Sequence, residues 1–394
     1  MVWLGGLSYG WYLWHWPLLV IGPKALGRAA GVPLNLALCV VALGLAWATL
    51  HLVENPVRFH AVFRGRPRRA LGLGFGLSAG TAVLALVATA FPPPIATGAS
   101  TTGLKEALAT ASDPQATLTR LLEAPVKRLP GNLATPLDEI KGSESAVYQD
   151  GCHLDYASTD TPPCEYGDTS SDKVVVLLGD SHAAQWFPAM EQLATAHGWK
   201  LVSLTKASCK VADVTIIQDG KPYTACDTWR SNAIARINAL HPALVVVSSS
   251  DAGDPARPTA DPLQQWTAGY QDTFEELQRS GTKVAAILDT PWPRSDAVEC
   301  AAAHLQKLAR CTNKASKAIQ DQTRRTATKA AAESTGASVI DPQPWLCSPK
   351  GDCPVVVGNT FVYRDDSHMA DAYAEALAPV LGARLIRLLG ADPS

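Results

Sequence analysis

Hydrophobic positions divide the chain into an apolar amino-terminal part and a longer part in which short apolar runs alternate with amphipathic segments. In the first part, three apolar stretches cover residues 2–21, 34–53 and 70–91. Each is close to the ~20 residues that a helix needs to cross the hydrocarbon core of a membrane. The first stretch lacks the basic lead and the small-residue cleavage site of a signal peptide. The pattern therefore predicts three transmembrane helices within residues 1–91.

Basic residues predict how these helices are oriented. The connection between the second and third stretches contains five arginines: Arg58, Arg64, Arg66, Arg68 and Arg69. The connection between the first and second stretches has only Lys24 and Arg28. Because basic loops stay in the cytoplasm, the third helix is expected to run outward. Everything after residue 91 is then predicted to be extracytoplasmic.

From residue 173 onward, apolar runs alternate regularly with segments of helical spacing. Strands are predicted over residues 174–178, 200–205, 243–247, 283–288 and 338–340. Helices are predicted over residues 184–197, 228–240, 261–280, 314–333 and 369–389. This alternation indicates a parallel sheet covered by helices on both faces. We therefore expect a three-layer α/β domain over residues 151–394, preceded by a linker and extension over residues 92–150 with one or two helices in the helical spacing of residues 104–122.

Charge and cysteine usage narrow the class of protein. The 394 residues carry a formal net charge of −2 and allow two or three domains. The basic field of a nucleic-acid-binding protein is missing, so no nucleic-acid partner is expected. Of the nine cysteines, Cys39 lies in a predicted span and the other eight follow residue 91. An even number of cysteines beyond the membrane is typical of an oxidising compartment.

The eight cysteines form four pairs of near neighbours along the chain. We expect disulfides in this sequential pattern: Cys152–Cys164, Cys209–Cys226, Cys300–Cys311 and Cys347–Cys353. Other connectivities remain open at this point, because sequence alone does not fix pairing. None of the pairs is a C-x-x-C motif and no H-x(3–5)-H motif accompanies them, so no metal site is predicted.

Ser181 stands at the junction between the first of these strands and its helix, in a Gly-Asp-Ser-His motif. A serine there lies at the carboxyl edge of the sheet, where ligands bind and where a helix N-terminus favours negative charge. Late in the chain, Asp365 and His368 form an Asp-x-x-His motif that is expected to open the last helix. This layout predicts a hydrolytic triad in which His368 deprotonates Ser181 and Asp365 orients the imidazole.

Each of these residues also has a structural interpretation. Ser181 could be a helix N-cap, and Asp366 is expected to cap the last helix. Asp180 is expected to hold the turn through backbone N–H groups. His182 is the local rival to His368 as the base, but in a helix its side chain would point about 100° away from Ser181.

Tryptophans in the second part are candidates for stacking on sugar rings. They are Trp186, Trp229, Trp266, Trp292 and Trp345. Buried tryptophans commonly belong to the core. Trp292, in a Pro-Trp-Pro-Arg sequence after the fourth strand, is the one that we expect to line the site.

Two groups of residues resemble one family. Residues 8–17, Ser-Tyr-Gly-Trp-Tyr-Leu-Trp-His-Trp-Pro, and residues 53–59, Val-Glu-Asn-Pro-Val-Arg-Phe, resemble the last two membrane helices of the acyltransferase-three family. The Gly-Asp-Ser-His motif and the late Asp-x-x-His motif resemble the SGNH hydrolase-type domain that is fused to those membrane domains in bacteria. The resemblance covers essentially the whole chain and implies an SGNH or flavodoxin-like sheet.

The resemblance also carries expectations about activity and location. Full-length relatives acylate, usually acetylate, sugars of the cell envelope. A three-span protein of a bacterial plasma membrane is implied, with its SGNH domain outside the cytoplasm. The resemblance implies no bound cofactor, a cell-envelope glycan as substrate, and an acetyl group that comes ultimately from acetyl-CoA. Because the family's membrane domain has more helices than this chain, it also implies a fragment or a split system with a separate membrane acyltransferase subunit.

In the family, a glycine and an asparagine usually complete the oxyanion hole. Their places, after the second and third strands, hold Ala-Ser-Cys at 207–209 and Ser-Ser-Ser-Asp at 248–251. We expect Ser181, Ser208 and Ser249 to stabilise the oxyanion through backbone N–H or hydroxyl groups.

Three functions are compatible with these observations. The first is a serine acyltransferase that passes an acyl group, as acyl-Ser181, to a glycan hydroxyl. A carbohydrate O-acetyl esterase would use the same triad with water as the acceptor. The third is a non-catalytic glycan-binding or assembly module of a split acyltransferase. The first two share one acyl-enzyme, so the sequence does not separate them.

Overall fold

The structure is a computed structural model that describes residues 2–26, 31–60, 62, 66–90 and 97–390. The chain forms two compact units, Met1–Ile95 and Ala96–Ser394. Arg28 and Arg64, which belong to the orientation argument, lie outside the described residues, as do residues 91–96 at the end of the third apolar stretch and the start of the expected linker.

Helices account for nearly all of the first unit and surround the sheet of the second. The α-helices are α1 (Val2–Ala25), α2 (Val32–Thr49), α3 (Asn55–Arg58), α4 (Pro67–Ala90), α5 (Leu104–Ala109), α6 (Pro114–Glu123), α7 (Ala146–Gln149), α8 (Ser181–Ala184), α9 (Phe187–His197), α10 (Thr224–Leu240), α11 (Pro262–Gln278), α12 (Ala297–Ala303), α13 (Ala315–Ala318), α14 (Gln322–Thr335), α15 (Gln343–Leu346), α16 (Asp371–Ala376) and α17 (Ala378–Leu389). A π-helical segment, Leu50–Glu54, joins α2 to α3, and 3-10 turns cover Ile140–Gly142 and Leu308–Cys311.

The strands found among the described residues all belong to the second unit. They are β1 (His153–Leu154), β2 (Glu165–Gly167), β3 (Val174–Gly179), β4 (Lys200–Lys206), β5 (Ile217–Gln218), β6 (Lys221–Pro222), β7 (Leu244–Ser248), β8 (Lys283–Ile287), β9 (Asn313–Lys314), β10 (Ser338–Ile340), β11 (Asp352–Cys353), β12 (Val356–Val357) and β13 (Thr360–Phe361). The short strands outside the main sheet form three antiparallel pairs: β5–β6, β9–β11 and β12–β13.

In the first unit, α1 and α2 pack side by side through small residues and indole hydrogen bonds. A Cβ placed on Gly10 would lie 3.4 Å from the Cβ of Ala46, so the two backbones approach closely. The Trp14 indole donates to Thr49 Oγ1 at 3.0 Å, and the Trp11 indole donates to the carbonyl of Cys39 at 3.0 Å. Small residues at a helix contact and side-chain hydrogen bonds across it are typical of membrane helices.

The number of membrane spans differs from the sequence prediction. Among the described residues, two helical stretches, Val32–Arg58 and Pro67–Val87, are long and apolar enough to cross a membrane. Helix α1 is long enough as well, but it does not meet the same hydropathy criterion. Its tryptophans, tyrosines, glycines and His15 lower its hydropathy. The structure therefore supports two candidate spans rather than the three predicted.

The main sheet of the second unit confirms the predicted α/β class. Its strands lie in the order β1-β4-β3-β7-β8-β10, all parallel, with β2 added antiparallel to β4. Every residue of β3 is buried, because helices cover both faces. Val175 and Leu177 belong to the core on one face, while Val176 and Leu178 belong to the core on the other. The central position of β3 brings its carboxyl end to the middle of the sheet edge.

Two segments of helical spacing are interrupted by residues that start a new helix. Of the one or two helices expected over 104–122, the structure has two, because Asp113 caps α6 by accepting the Ala116 N–H at 2.9 Å. The predicted helix over 314–333 is also divided: Asp321 accepts the backbone N–H groups of Thr323 and Arg324 and begins α14. In both cases an N-cap aspartate inside an apolar periodicity marks the boundary.

Four disulfides join the described cysteines of the second unit. They are Cys152–Cys164, Cys209–Cys226, Cys300–Cys311 and Cys347–Cys353, the sequential pattern expected from the sequence. Cys39, in the first unit, is a free cysteine. The bridge at Cys209 fixes the segment that follows β4, directly beside the carboxyl end of β3.

Candidate active site

Close backbone packing fixes where Ser181 lies. Strand β3 ends at Gly179, whose φ is +148°. A Cβ at this position would lie 1.8 Å from the carbonyl oxygen of Ser248, so only glycine permits this approach of β3 to β7. Asp180 follows in an extended conformation and caps α8, where its carboxylate accepts the His182 N–H at 2.8 Å. Ser181 is consequently the first residue of α8, at the carboxyl edge of the sheet.

The structure brings the three predicted triad residues into one hydrogen-bonded chain. His368 Nε2 lies 2.8 Å from Ser181 Oγ, and His368 Nδ1 lies 2.8 Å from Asp365 Oδ2. Because a carboxylate only accepts, it holds the proton of the neutral imidazole on Nδ1. Nε2 then presents a lone pair to the Ser181 hydroxyl. This arrangement matches the geometry of a serine nucleophile with its base and orienting carboxylate.

The environment of Asp365 favours its ionised form. Its Oδ1 atom accepts the backbone N–H groups of Ser367 at 2.8 Å and His368 at 2.7 Å. Burial by itself raises the pKa of Asp365, but the hydrogen bonds and the charge of His368 outweigh burial and hold the pKa below its ordinary value. A carboxylate that stays ionised can stabilise the imidazolium that forms when His368 takes a proton.

The loop that holds these residues differs from the predicted helix start. Residues Tyr363 and Met369 form an antiparallel bridge, and the Arg364 N–H donates to the carbonyl of His368 at 2.9 Å. Asp365 and His368 therefore lie in a tight turn, and the next helix, α16, begins at Asp371. Asp366 is exposed and does not cap that helix, whose N-cap is Ala370. The helix predicted over 369–389 is also divided, between α16 and α17, at Leu377.

Gln185 connects the segments that hold Ser181 and His368, a role that no motif in the sequence predicts. Its Oε1 atom accepts the Met369 N–H at 2.7 Å, next to His368 in the chain. Its Nε2 atom donates to Thr290 Oγ1 at 3.3 Å. Gln185 is buried and follows α8, so the helix that starts with Ser181 also holds the backbone beside His368.

Asp180 holds the turn through backbone N–H groups, as expected, and it also forms a buried ion pair with Lys210. It is completely buried and accepts the backbone N–H of Ser250 in addition to that of His182. Lys210 Nζ, also buried, donates to Asp180 Oδ2 at 2.8 Å and to Ser250 Oγ at 2.5 Å. Burial raises the pKa of Asp180, but Lys210 and the hydrogen bonds lower it to about 2. This ion pair joins the segments that follow β3, β4 and β7.

The expected oxyanion residues lie in different environments. Ser181 is the first residue of α8, so its N–H has no acceptor within the helix. Ser208, two residues beyond β4, has a φ of +55°, and its N–H forms no hydrogen bond among the described residues. Ser249 is buried, and its side chain interacts with Tyr270. Among the described residues, the backbone N–H groups of Ser181 and Ser208 have no hydrogen-bond acceptor, whereas the Ser249 side chain faces Tyr270.

His182 is not placed as the base of Ser181. Its Nδ1 atom lies 2.6 Å from Asp289 Oδ1, and both side chains are buried. The ring packs against the His368 ring with centroids 4.9 Å apart. Burial alone lowers the pKa of His182, but Asp289 outweighs it and raises that pKa above its ordinary value.

Trp292 contacts both members of the His182–Asp289 pair. Its ring stacks on His182 with centroids 5.4 Å apart, and its Nε1 donates to Asp289 Oδ2 at 3.0 Å. Trp292 is partly exposed, so part of its ring faces solvent beside the His182–Asp289 pair. The other tryptophans considered for sugar stacking belong to the core, with exposures of 2% or less: Trp186, Trp229, Trp266 and Trp345.

One further cluster has metal-ligand side chains. Among the described residues, Cys300, His304 and Cys311 lie close enough to share an ion. The two cysteines are joined in a disulfide, so their sulfurs are not thiolates and do not supply metal ligands. This cluster therefore gives no support to a metal centre.

Comparison with known proteins places the second unit in a family. Residues 151–383 match the SGNH domain that is described as fused to AT3 domains. This chain belongs to that family. The match does not include residues 1–150, so the acyltransferase-three resemblance of the first unit stays a resemblance.

Three bacterial proteins are among the solved structures that match the chain. The periplasmic domain of a lipopolysaccharide acetyltransferase from Salmonella Paratyphi A is 17% identical, with a TM-score of 0.45; the match covers 71% of this chain and 99% of that one. A putative acylhydrolase from Bacteroides fragilis is 13% identical, with a TM-score of 0.33, over 62% of this chain and 96% of that one. A carbohydrate acetylesterase family member from Sinorhizobium meliloti is 13% identical, with a TM-score of 0.32, over 55% and 99%. No curated protein matches the chain.

Membership of the SGNH family, together with the two apolar helices Val32–Arg58 and Pro67–Val87, indicates a membrane-anchored protein of an acyl-handling enzyme family.

Proposed function

We propose that this protein is a serine acyltransferase that moves an acyl group, in particular acetyl, onto a hydroxyl of a cell-envelope glycan. The SGNH domain would act outside the cytoplasm, anchored by the apolar helices of the first unit. The observation that supports the proposal is the chain of hydrogen bonds from Ser181 through His368 to Asp365.

In the first step, His368 Nε2 takes the proton of the Ser181 hydroxyl as Ser181 Oγ attacks the carbonyl carbon of the acyl donor. Negative charge moves to the carbonyl oxygen, where the backbone N–H groups of Ser181 and Ser208 can receive it. The tetrahedral intermediate then loses the leaving group of the donor, which takes the proton from His368. Acyl-Ser181 remains.

In the second step, a glycan hydroxyl gives its proton to His368 Nε2 and attacks the acyl carbon of acyl-Ser181. The same two N–H groups receive the oxyanion, and Ser181 Oγ leaves with the proton held by His368. No group other than the donor and the glycan is consumed in this sequence. The acyl donor would reach the site from a membrane acyltransferase component, either an amino-terminal extension of this chain or a separate subunit.

A second candidate is an esterase that removes acyl groups from glycans. Water can reach the triad, because the side chains of His368 and Asp365 are 21% and 29% exposed. Both reactions form acyl-Ser181, and only the second acceptor differs. The two activities therefore depend on how well an acceptor competes with water at this position.

Acyl transfer to a glycan tests the proposal. The full-length chain in detergent would be incubated with p-nitrophenyl acetate, with and without a bacterial cell-envelope polysaccharide preparation. We expect release of p-nitrophenol that Ser181→Ala abolishes, and O-acetylated glycan among the products. A matched control is Ser170→Ala, which changes an exposed serine at the opposite end of β3.

The products separate the candidate functions. Ser181-dependent release of p-nitrophenol with acetate as the sole product, for every glycan tried, would favour the esterase. Release that is unchanged in Ser181→Ala, from a protein that is folded by circular dichroism, would contradict both enzymes. That last result would favour a non-catalytic glycan-binding or assembly module.

A further inference from the structure

The His182–Asp289 pair has the same design as the His368–Asp365 pair, but the serine mechanism does not use it. Its Nδ1 to carboxylate distance is 2.6 Å, compared with 2.8 Å in the triad. Asp289 is fixed by two further donors, the Trp292 indole at 3.0 Å and the Asp251 N–H at 2.9 Å. These contacts hold Asp289, and with it the His182 ring, in one orientation.

The free nitrogen of His182 is the atom that needs an explanation. Nδ1 is engaged by Asp289, whereas Nε2 has no hydrogen-bond partner among the described residues. The side chain is only 3% exposed, yet Nε2 is not among the completely buried polar atoms that lack a partner, so some of the ring's small exposed surface lies at this nitrogen. Nε2 is therefore placed to contact an atom from outside the protein.

The position of His182 points to one part of the substrate. The backbone N–H groups that can receive the oxyanion lie after β3 and β4, whereas Asp289 and Trp292 lie after β8, on the other side of β3 and β7. The His182 ring contacts the ring of His368, which carries the proton to and from the alcohol. This position favours the alcohol oxygen, rather than the carbonyl oxygen, as the substrate atom that His182 would contact.

We propose that His182, held by Asp289, donates a hydrogen bond from Nε2 to the alcohol oxygen that leaves the acyl carbon or attacks it. The inference rests on the proposed serine mechanism. His368 still transfers the proton, and His182 keeps its own. The substrate class that follows is an ester or acceptor in which the oxygen belongs to an aliphatic alcohol, such as a sugar hydroxyl.

The charges around His182 support its role as a donor. Asp289 and Asp180 favour the imidazolium, while burial and Lys210 oppose it, and the balance raises the pKa of His182. Burial and the neighbouring Asp289 raise the pKa of Asp251 well above its ordinary value, which favours the neutral acid there. His368, in ring contact, is a further titratable group that faces His182.

The leaving group provides the test. An aliphatic alkoxide needs stabilisation when it leaves, whereas p-nitrophenolate leaves readily without it. Ethyl acetate and p-nitrophenyl acetate carry the same acyl group and differ in that oxygen. For the full-length chain in detergent, we expect His182→Gln to lower kcat/KM for ethyl acetate about 10- to 100-fold more than for p-nitrophenyl acetate. That selectivity is the size expected for one hydrogen bond involving a charged group.

Two further measurements distinguish the proposed role of His182 from a loss of activity caused by a structural change in His182→Gln. Asp289→Asn keeps the ring of His182 but removes the anion, and we expect the same selective loss. In the unaltered protein, the ratio of the two kcat/KM values, ethyl over p-nitrophenyl, should fall as pH rises above the ordinary histidine pKa of about 6.5. In His182→Gln that ratio should be independent of pH. His197→Gln, at the end of α9, is the control.

An equal loss of activity on both esters, or a pH-independent ratio in the unaltered protein, would overturn the role of His182. The pH measurement needs no variant, so it decides even if His182→Gln fails to fold. Ser181→Ala separates the two proposals. If hydrolysis of both esters depends on Ser181 but the ratio of their kcat/KM values is the same with and without His182, the serine mechanism is supported and this inference fails. If neither ester depends on Ser181, the proposed function itself fails.

Discussion

His368 Nε2 and Ser181 Oγ lie 2.8 Å apart although the two residues are separated by 187 positions in the sequence. Strand β3 delivers the serine to the centre of the sheet edge, and the bridge between Tyr363 and Met369 turns the histidine toward it. Gln185 then connects the two segments by accepting the Met369 N–H. The contact is therefore produced by the fold around it rather than by local sequence.

Asp365→Asn should lower kcat strongly while leaving the fold intact. An asparagine side chain can present its N–H₂ group to His368 Nδ1, which would favour the wrong tautomer of the imidazole. In a serine protease the corresponding change costs about 10⁴ in kcat. We expect a loss on the order of 10³- to 10⁴-fold for p-nitrophenyl acetate, measured by steady-state kinetics. A loss of less than tenfold would show that Asp365 does not orient the base.

Ser208→Gly should retain activity within a few-fold, because Ser208 is assigned a role through its backbone N–H. Its φ of +55° is a conformation that glycine adopts without strain. Ser208→Val should be much worse, since a β-branched residue is strained in that conformation. Comparison of kcat for the two variants separates the backbone from the hydroxyl. A large loss in Ser208→Gly would assign the oxyanion contact to the hydroxyl instead.

Lys210→Met should destabilise the second unit by about 3–5 kcal/mol, because it leaves the buried charge of Asp180 without its partner. Urea unfolding followed by tryptophan fluorescence measures this. The double variant Asp180→Asn/Lys210→Met should recover part of the loss, since neither charge then remains buried. A loss below about 1 kcal/mol in the single variant would contradict the assignment of a buried ion pair.

The same pair predicts a dependence of stability on pH. The pKa of Asp180 is lowered to about 2 in the folded protein, compared with an ordinary value of about 3.9. Its contribution is therefore present above the ordinary value and is lost as pH falls from about 4 through about 2. Unfolding measured across this range should show a smaller acid-induced loss of stability in the double variant than in the unaltered protein.

The sequence was sufficient to predict the triad residues, but not the buried residues that hold them in place. A fully apolar run before Gly-Asp-Ser-His predicts a buried central strand with a serine at its end, and the late Asp-x-x-His supplies the remaining polar partners. Lys210 and Asp289 follow other strands without any local motif. Their roles depend on which strands are neighbours in the sheet, and strand order is not encoded in the spacing of hydrophobic residues.

The errors have a similar origin. Periodicity extended two helices across boundaries that are set by the side chain of Asp321 and by the break at Leu377. In sequence, the turn at Asp365 looks like a helix start. An aspartate that accepts nearby backbone N–H groups is found both in tight turns and at helix N-termini. Only the long-range bridge between Tyr363 and Met369 distinguishes them.

The disulfide Cys209–Cys226 should matter more for activity than Cys347–Cys353. It fixes the segment that contains Ser208 and Lys210, and it closes the longer loop, 17 residues compared with 6. The chain-entropy model gives about 3 kcal/mol for the first bridge and about 2 kcal/mol for the second. Replacing each pair by alanine, we expect a larger loss of kcat and of unfolding free energy for Cys209–Cys226. Equal losses of kcat would contradict the link between this bridge and the site.

Direct detection of an acyl group on Ser181 is the decisive test of the proposed acyl-serine mechanism. The full-length chain would be mixed with p-nitrophenyl acetate, quenched in acid within the first turnovers, digested and analysed by mass spectrometry. The account predicts a peptide containing Ser181 that is heavier by one acetyl group, and the loss of this label on addition of a glycan acceptor. Turnover without any acetylation of Ser181, or an equal label on another residue in Ser181→Ala, would contradict it.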